Sequence, residues 1–370
     1  MSQPRCISNP LRDPARVADI TQRPVRFHQS FEDYRPTPLV PLSNAAERLG
    51  VAAVHLKDES SRMGMPSFKI LGASWATYRV LLQHLGLPDE QDLTIAELRD
   101  RLQGSGVRLC AATDGNHGRA VARMARLLGL AAHIVVPSDM VTERIAAIEG
   151  EGATVEVFDG GYDEAVARSA THANDTTLVV SDTSWEGYVD PPAWVIDGYS
   201  TMINEIRAQL GEGGIPQPTV VAAQIGVGAF AAAVARGFAD HPGIRLVGVE
   251  PTRADCMIAS VEQGSVTTIA GPQLSMMAGL NCGTPSPVAW PDVTGGFTHF
   301  TTVTDDQTAE AMRVLAGDGV VSGESGAAGL SGLLVHADAL GLGADDSVLV
   351  VSTEGATDLD NYRRITGQEA

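Results

Sequence analysis

The sequence predicts an α/β protein of two domains, each a mainly parallel sheet flanked by helices. The first observation is an alternation of short apolar runs with helix-length amphipathic runs between Val107 and Val180. The second is that the same alternation resumes after Tyr188 and continues to Ser352. The third is the glycine content, 39 in 370 residues, concentrated where apolar runs end. Strands separated by helices of this length form βαβ units, and such units assemble parallel sheets.

In chain order, residues 1–35 are polar and irregular, and Met1 to Gln22 reads as an arm. Arg35-Pro36-Thr37-Pro38-Leu39 opens the folded part as an extended segment, because residues before proline avoid the helical region. Asn44 to Leu49 is a short helix and Val51 to Leu56 a strand. Residues 70–87 form a helix, with Leu71, Trp75, Tyr78 and Leu82 near helical spacing. Asp89 to Leu102 is charged and locally helical, a surface excursion. Then come strand Val107–Ala112, helix His117–Leu128, strand Ala131–Val136, helix Thr142–Glu149, strand Thr154–Phe158, helix Asp163–Ala173 and strand Thr177–Val180. A long helix from about Ala193 to Gln209 leads to strand Thr219–Gln224, helix Phe230–Phe238 and strand Leu246–Glu250. Residues 264–300 are loop-like around a short helix near Leu274 to Gly279. Strand Thr301–Val303, helices Thr308–Ala316 and Ser325–Ala339, and strand Ser347–Ser352 complete the pattern. On this reading residues 1–80 and 190–370 make a large domain, and residues 81–189 a small one.

Composition excludes several roles. There are 26 Lys and Arg against 45 Asp and Glu, a formal charge of −19. Such a surface repels nucleic acid and anionic membrane. With 44% hydrophobic residues the chain is globular in composition. The sequence shows no basic-plus-apolar leader and no apolar run of about eighteen residues, so a soluble cytoplasmic protein is expected. Cys6, Cys110, Cys256 and Cys282 include no CxxC pair, so no metal site is expected, and Cys256 and Cys282 read as two buried free thiols.

Five stretches carry chemistry. Lys69, in Ser67-Phe68-Lys69, lies where a Ser/Gly/Met/Pro-rich loop enters a helix, between apolar Phe68 and Ile70. Loss of solvent there disfavours the ammonium, and a neutral amine forms a Schiff base with an aldehyde. Thr113-Asp114-Gly115-Asn116-His117-Gly118 joins a strand to a helix, where backbone N–H groups and the positive helix end face an anion such as a carboxylate. Asn116 adds an amide suited to a phenolic oxygen, and Asp114 places an acid beside the anion site. Gly226-Val227-Gly228-Ala229 is a second strand–turn–helix, whose glycines admit a phosphate; without a third glycine it is not the dinucleotide fingerprint. Asp182, in Ser181-Asp182-Thr183-Ser184-Trp185-Glu186-Gly187-Tyr188, follows a strand where open sheets bind ligands and suits a cationic substrate group. Thr353 ends the last strand, where a hydroxyl can bond a ring nitrogen.

Together these runs, with Met277-Ala278-Gly279-Leu280-Asn281-Cys282-Gly283 and Ser322-Gly323-Glu324-Ser325-Gly326, resemble pyridoxal-phosphate enzymes of the tryptophan synthase β-subunit fold (fold type II). Within that group they are most similar to the diaminopropionate ammonia-lyases, over roughly residues 34–365. Threonine and serine dehydratases usually carry Ser at the position of Asp114. The resemblance implies pyridoxal 5'-phosphate bound covalently by Lys69 beside Phe68, with Asn116 on its ring oxygen. It implies Gly226, Val227, Gly228 and Ala229 at the phosphate and Thr353 at the pyridine nitrogen. The substrate carboxylate would dock on the loop of Thr113, Asp114 and His117. Asp182 would take the 3-ammonium, with Tyr188 among the substrate-binding residues. The reaction implied is α,β-elimination of 2,3-diaminopropionate to pyruvate and ammonia. Lys69 would be the base on one face, and Asp114 is a candidate base on the other, an arrangement that would admit both D- and L-isomers. A homodimer follows from the same resemblance. Two other readings stand beside it: a serine/threonine dehydratase or other β-eliminating enzyme, and a cofactor-holding regulatory protein without turnover.

Overall fold

The computed structural model describes residues 3–113, 115–241 and 243–370. Its strands, in chain order, are β1 (Cys6–Ser8), β2 (Leu39–Pro41), β3 (Ala53–Asp58), β4 (Arg108–Ala112), β5 (Ala131–Pro137), β6 (Thr154–Phe158), β7 (Thr177–Val179), β8 (Val220–Gln224), β9 (Arg245–Pro251), β10 (His299–Val303) and β11 (Ser347–Ser352). They form a seven-stranded sheet of order β1-β10-β9-β8-β11-β3-β2 and a four-stranded sheet of order β6-β5-β4-β7. The small sheet is parallel throughout. The large one is parallel in its interior and carries an antiparallel strand at each edge, β1 on β10 and β2 on β3. The expected α/β class, with mainly parallel sheets flanked by helices, is the fold observed.

By contacts the chain divides into two units. One comprises Met1–Ile20, Pro36–Phe68 and Met202–Ala370; the other comprises Thr21–Arg35 and Lys69–Thr201. The second unit is wider than the 81–189 domain read from the sequence, with breaks at 68/69 and 201/202, and it takes in residues 21–35 as well. The chain therefore passes from one unit to the other at the Phe68–Lys69 peptide bond.

The first unit holds the large sheet. β8 and β11 are buried at every residue, as a strand covered on both faces must be. Val220, Ala222, Val348 and Val350 pack with Leu330 and Leu333 of the helix Glu324–Leu340. In the second unit the helix Lys69–His84 is apolar nearly all round and buried from Ile70 to Leu82. Gly198 allows the long helix Asp190–Glu212 to approach it: a Cβ there would lie 2.4 Å from the Leu71 carbonyl oxygen.

Some expectations need correction. Residues 1–35 are not irregular: Cys6–Ser8 is an edge strand, Pro14–Arg16 a 3-10 turn and Arg23–Gln29 a helix. A three-residue strand has no readable period; here it is held by Arg5, which pairs with Asp255 and Glu262. The 89–102 stretch is docked rather than an excursion. Its helix Ile95–Leu102 opens on a Thr94/Glu97 capping box and buries Leu98 and Leu102. Helices Cys256–Gln263, Trp290–Gly296 and Leu359–Thr366 had no counterpart in the sequence reading, and the short helix expected near 274–279 is a 3-10 turn at Ala278–Leu280. All four cysteines are free, and Cys256 and Cys282 are buried.

Candidate active site

Lys69 is the first residue of the helix Lys69–His84, and its neighbours Phe68 and Ile70 are buried as expected. The segment before it is pinned to the end of β11. The Phe68 amide donates to the Thr353 carbonyl at 3.1 Å, and the Gly355 amide donates to Pro66 at 2.9 Å. Phe68 also packs edge-on against Phe230, with ring centroids 5.2 Å apart.

The Lys69 amine does not sit in an apolar setting. Its Nζ donates to Asp182 Oδ2 at 2.7 Å, and the Lys69 side chain is 18% exposed. The expectation of a dry, uncharged amine is corrected here: a carboxylate at ion-pair distance favours the ammonium. Asp182 is itself braced. Its Oδ1 accepts from the Tyr162 hydroxyl at 3.1 Å, and His117 Nδ1 stands 3.9 Å from Oδ2. Burial opposes charge on Asp182, but Lys69, His117 and Tyr162 outweigh it and hold the carboxyl well below the usual range. Burial pushes His117 below the ordinary histidine value; Asp182 opposes this and Lys69 adds to it. His117 Nε2 lies 2.8 Å from the Val180 carbonyl and donates to it.

The loop after β4 turns on Thr113, whose Oγ1 accepts from the amides of Gly115 at 2.9 Å and Gly118 at 3.0 Å. Gly118 has to be glycine, since a Cβ there would meet Thr113 Cγ2 at 2.4 Å. The helix Asn116–Leu128 starts at this turn, with Gly115 as its N-cap at φ 147°. Its first amides have no intrahelical acceptor, an arrangement that suits an anion, although the Gly118 amide is taken by Thr113 Oγ1. Asp114 lies outside the described residues. Tyr188 spends its hydroxyl locally, donating to Val179 at 2.8 Å and accepting from the Ser181 amide at 3.0 Å while its ring stacks on Trp185. In the second unit, then, Lys69, Asp182 and His117 come together, Thr113 shapes its own loop and Tyr188 secures the strand end beneath Asp182.

In the first unit, β8 runs into Gly226-Val227-Gly228 and the helix Ala229–Phe238. Gly228 is the N-cap at φ 101°. A Cβ on Gly226 would stand 3.0 Å from the Gly279 carbonyl and 3.2 Å from Cys282 Sγ. The Met277–Gly283 run thus backs the turn closely, and a side chain at Gly226 would have to push it back by a few tenths of an ångström. Beside it, Gln224 Nε2 donates to Thr353 Oγ1 at 2.8 Å and to Val351 O at 3.1 Å. Having accepted, the buried Thr353 hydroxyl keeps its own proton to give, and no acceptor for it stands among the described residues. These features fit pyridoxal phosphate: orphan amides at a helix start for the phosphate, a hydroxyl donor for the ring nitrogen and a lysine amine for the aldehyde. Gln224 and Tyr162 were missed in the sequence. Gln224 could have been noticed as a polar residue closing the apolar run Val220–Gln224; Tyr162 had no signal.

Each unit is a helix-flanked, mainly parallel sheet, and the class is that of an α/β protein with a glycine turn at a strand end in one unit and a lysine at a helix start in the other. Comparison with known proteins gives the family. The model of the pyridoxal-phosphate dependent enzymes matches residues 31–354, and the chain belongs to that family. It is 38% identical to the diaminopropionate ammonia-lyase of Escherichia coli over 358 residues, 92% of this chain and 89% of that protein. It is 36% identical to the enzyme of the same name from Salmonella typhimurium, over 92% of this chain and 90% of that one. A crystal structure of the Escherichia coli enzyme in complex with D-serine superposes with a TM-score of 0.90 at 35% identity, covering 98% of this chain and 97% of the other. The cofactor is accordingly pyridoxal phosphate.

Proposed function

We propose that this protein is a carbon–nitrogen lyase that converts 2,3-diaminopropionate and water to pyruvate and two ammonia. One observation carries the reading: Asp182 Oδ2 already holds a primary ammonium, that of Lys69, at 2.7 Å. When Lys69 engages the cofactor, this buried carboxylate needs another cation, and the 3-ammonium of diaminopropionate supplies one. A hydroxyl leaving group, as in serine, leaves the carboxylate unpaired, and an unpaired buried charge is costly.

Bound pyridoxal phosphate supplies the electron sink that makes the α-hydrogen removable. The chain does the rest. The amides of Gly226, Val227, Gly228 and Ala229 take the phosphate, Asn116 the ring oxygen and Thr353 the ring nitrogen, with Gln224 fixing the Thr353 hydroxyl as a donor and Phe68 flanking the lysine. The loop of Thr113, Asp114 and His117 takes the α-carboxylate, and Tyr188 holds the strand end that presents Asp182. Lys69 Nζ accepts the α-proton on one face and the Asp114 carboxylate on the other, which gives access to both enantiomers. Asp182 orients the departing 3-amino group. The same reading extends to a cytoplasmic homodimer, which sedimentation of the purified protein tests; among the described residues no helix is long and apolar enough to cross a membrane.

The experiment is pyruvate formation from D- and L-diaminopropionate and from D- and L-serine. Expected is a kcat/KM for diaminopropionate more than about 100-fold above that for serine, beyond what a pocket without a dedicated polar partner achieves. Equal or better turnover of serine overturns the reading in favour of a dehydratase. Lys69→Ala removes the visible absorbance of the bound cofactor and all turnover.

A further inference from the structure

A second group of donors lies on the four-stranded sheet of the second unit, apart from Lys69 and Asp182. His133 is on β5 and Glu156 on β6, which pair in parallel with His133 opposite Thr154. His172 lies just beyond the helix Tyr162–Ala170. The Nε2 atoms of both histidines converge on one oxygen: Glu156 Oε2 is 2.9 Å from His133 and 3.1 Å from His172. One ligand atom from each of the three residues lies within 4.8 Å of the others. A tetrahedral first-row ion, with bonds of about 2.0–2.2 Å to imidazole nitrogen and carboxylate oxygen, sets its ligand atoms about 3.3–3.5 Å apart. The two histidine distances to Glu156 Oε2, 2.9 and 3.1 Å, are within a few tenths of an ångström of that spacing.

The surroundings are those of a metal site. His133 Nδ1 lies 3.1 Å from Thr154 Oγ1, and that hydroxyl donates to the Ala132 carbonyl at 3.1 Å. A hydroxyl that has given away its proton can only accept, so Nδ1 carries the hydrogen and the Nε2 lone pair points inward. A lone pair facing a carboxylate oxygen at 2.9 Å is satisfied by a proton or a cation. Arg168 Nε donates to Glu156 Oε1 at 2.7 Å, which leaves Oε2 as the single oxygen available to an ion. The three side chains are each about one quarter exposed (24%, 25% and 26%), so an ion has access and water can complete its coordination.

We propose that His133, Glu156 and His172 bind a divalent first-row cation, zinc in particular. The absence of paired cysteines in the sequence bears only on thiolate sites; two imidazoles and a carboxylate are an equally good zinc set. The ion ties β5 and β6 to the end of the helix Tyr162–Ala170. That helix begins with Tyr162, whose hydroxyl donates to Asp182, so clamping its far end restrains a residue that braces the Asp182 carboxylate.

The test uses the chelator-treated holoenzyme, titrated with Co²⁺ followed by visible d–d absorption, with Zn²⁺ as competitor, and thermal unfolding with and without Zn²⁺. Expected is one saturable ion per chain that raises Tm, lost in His133→Gln and in His172→Gln and weakened at least tenfold in Glu156→Gln. The cofactor absorbance should remain in all three, so failure here is separable from failure of the lyase assignment. His172 lies outside regular structure, and an unchanged ion-free Tm for His172→Gln shows that this variant folds. No saturable uptake by the wild type, or undiminished uptake by folded His172→Gln, overturns the proposal.

Discussion

On the proposed reading, Asp182 is the side chain that sets selectivity. It is 4% exposed and anionic, with Lys69 Nζ on one oxygen and the Tyr162 hydroxyl on the other. Its depressed pKa means that its stabilising contribution is present above the unfolded carboxyl value and disappears only as pH falls through a folded value far below the working range. The depression rests first on the Lys69 ammonium, so the carboxylate is charged while that amine stands on it, and in turnover a substrate cation has to take the same place. Asp182→Asn keeps the shape and removes the charge. Its expected effect is a loss of about 10- to 100-fold in kcat/KM for diaminopropionate, mostly through KM, the value of one charged hydrogen bond. Serine turnover should change much less. Steady-state kinetics on both substrates check this, and an equal loss on both would assign Asp182 to holding Lys69 alone.

The helix Asn116–Leu128 starts at the Thr113 turn, and its outer face is anchored by one carboxylate. Glu151 accepts from Arg123 at 2.6 Å, with Arg126 at 3.0 Å and Arg119 at 3.5 Å. Burial raises its affinity for protons, but the hydrogen bond and charge of Arg123, then Arg126 and Arg119, more than offset this and the pKa is lowered. A lowered carboxyl stabilises the fold above the unfolded value near 4.5 and loses that contribution as pH falls through the folded value. Glu151→Gln should cost about 1–3 kcal/mol at pH 7. The gap from wild type should close as the pH drops below about 4, because both proteins then carry a neutral side chain. Thermal unfolding between pH 7 and pH 3 measures it; a gap independent of pH would mean that packing, not charge, anchors the helix.

Across the first unit, a buried ionic cluster joins three distant parts of the chain. Arg62, fully buried, donates to both oxygens of Glu59 (2.8 and 2.6 Å) and both of Glu205 (2.8 and 2.7 Å). Lys57 Nζ donates to Glu205 at 2.8 Å and to the Thr37 carbonyl at 2.7 Å. Two cations meet two anions, so the cluster is neutral as a whole but not in any part. Burial disfavours the Arg62 charge; Glu59 and Glu205 overcome this and raise its pKa, whereas for Lys57 burial prevails and the pKa is lowered. Arg62→Met leaves two carboxylates without their main partner, and a loss of about 3–5 kcal/mol is expected in urea unfolding. The segment at stake, Asp58 to Phe68, leads to Lys69, so cofactor retention on dilution should fall as well.

Much of this molecule could be read from its residues in order. Strand and helix order follow from local periodicity. The turns at Thr113, Gly226 and Thr353 follow from glycines and hydroxyls at strand ends, since a turn's chemistry is carried by adjacent residues. What remained hidden has one cause: it depends on residues far apart in the chain. Lys69 and Asp182 are 113 positions apart and Gln224 and Thr353 are 129, and no spacing rule predicts that either pair will touch. The edge strands β1 and β2, three residues each, exist only because a finished sheet offers them a partner. The place of Lys69 at the start of a helix was legible, but its partner was not, because that is a carboxylate which only folding brings to 2.7 Å.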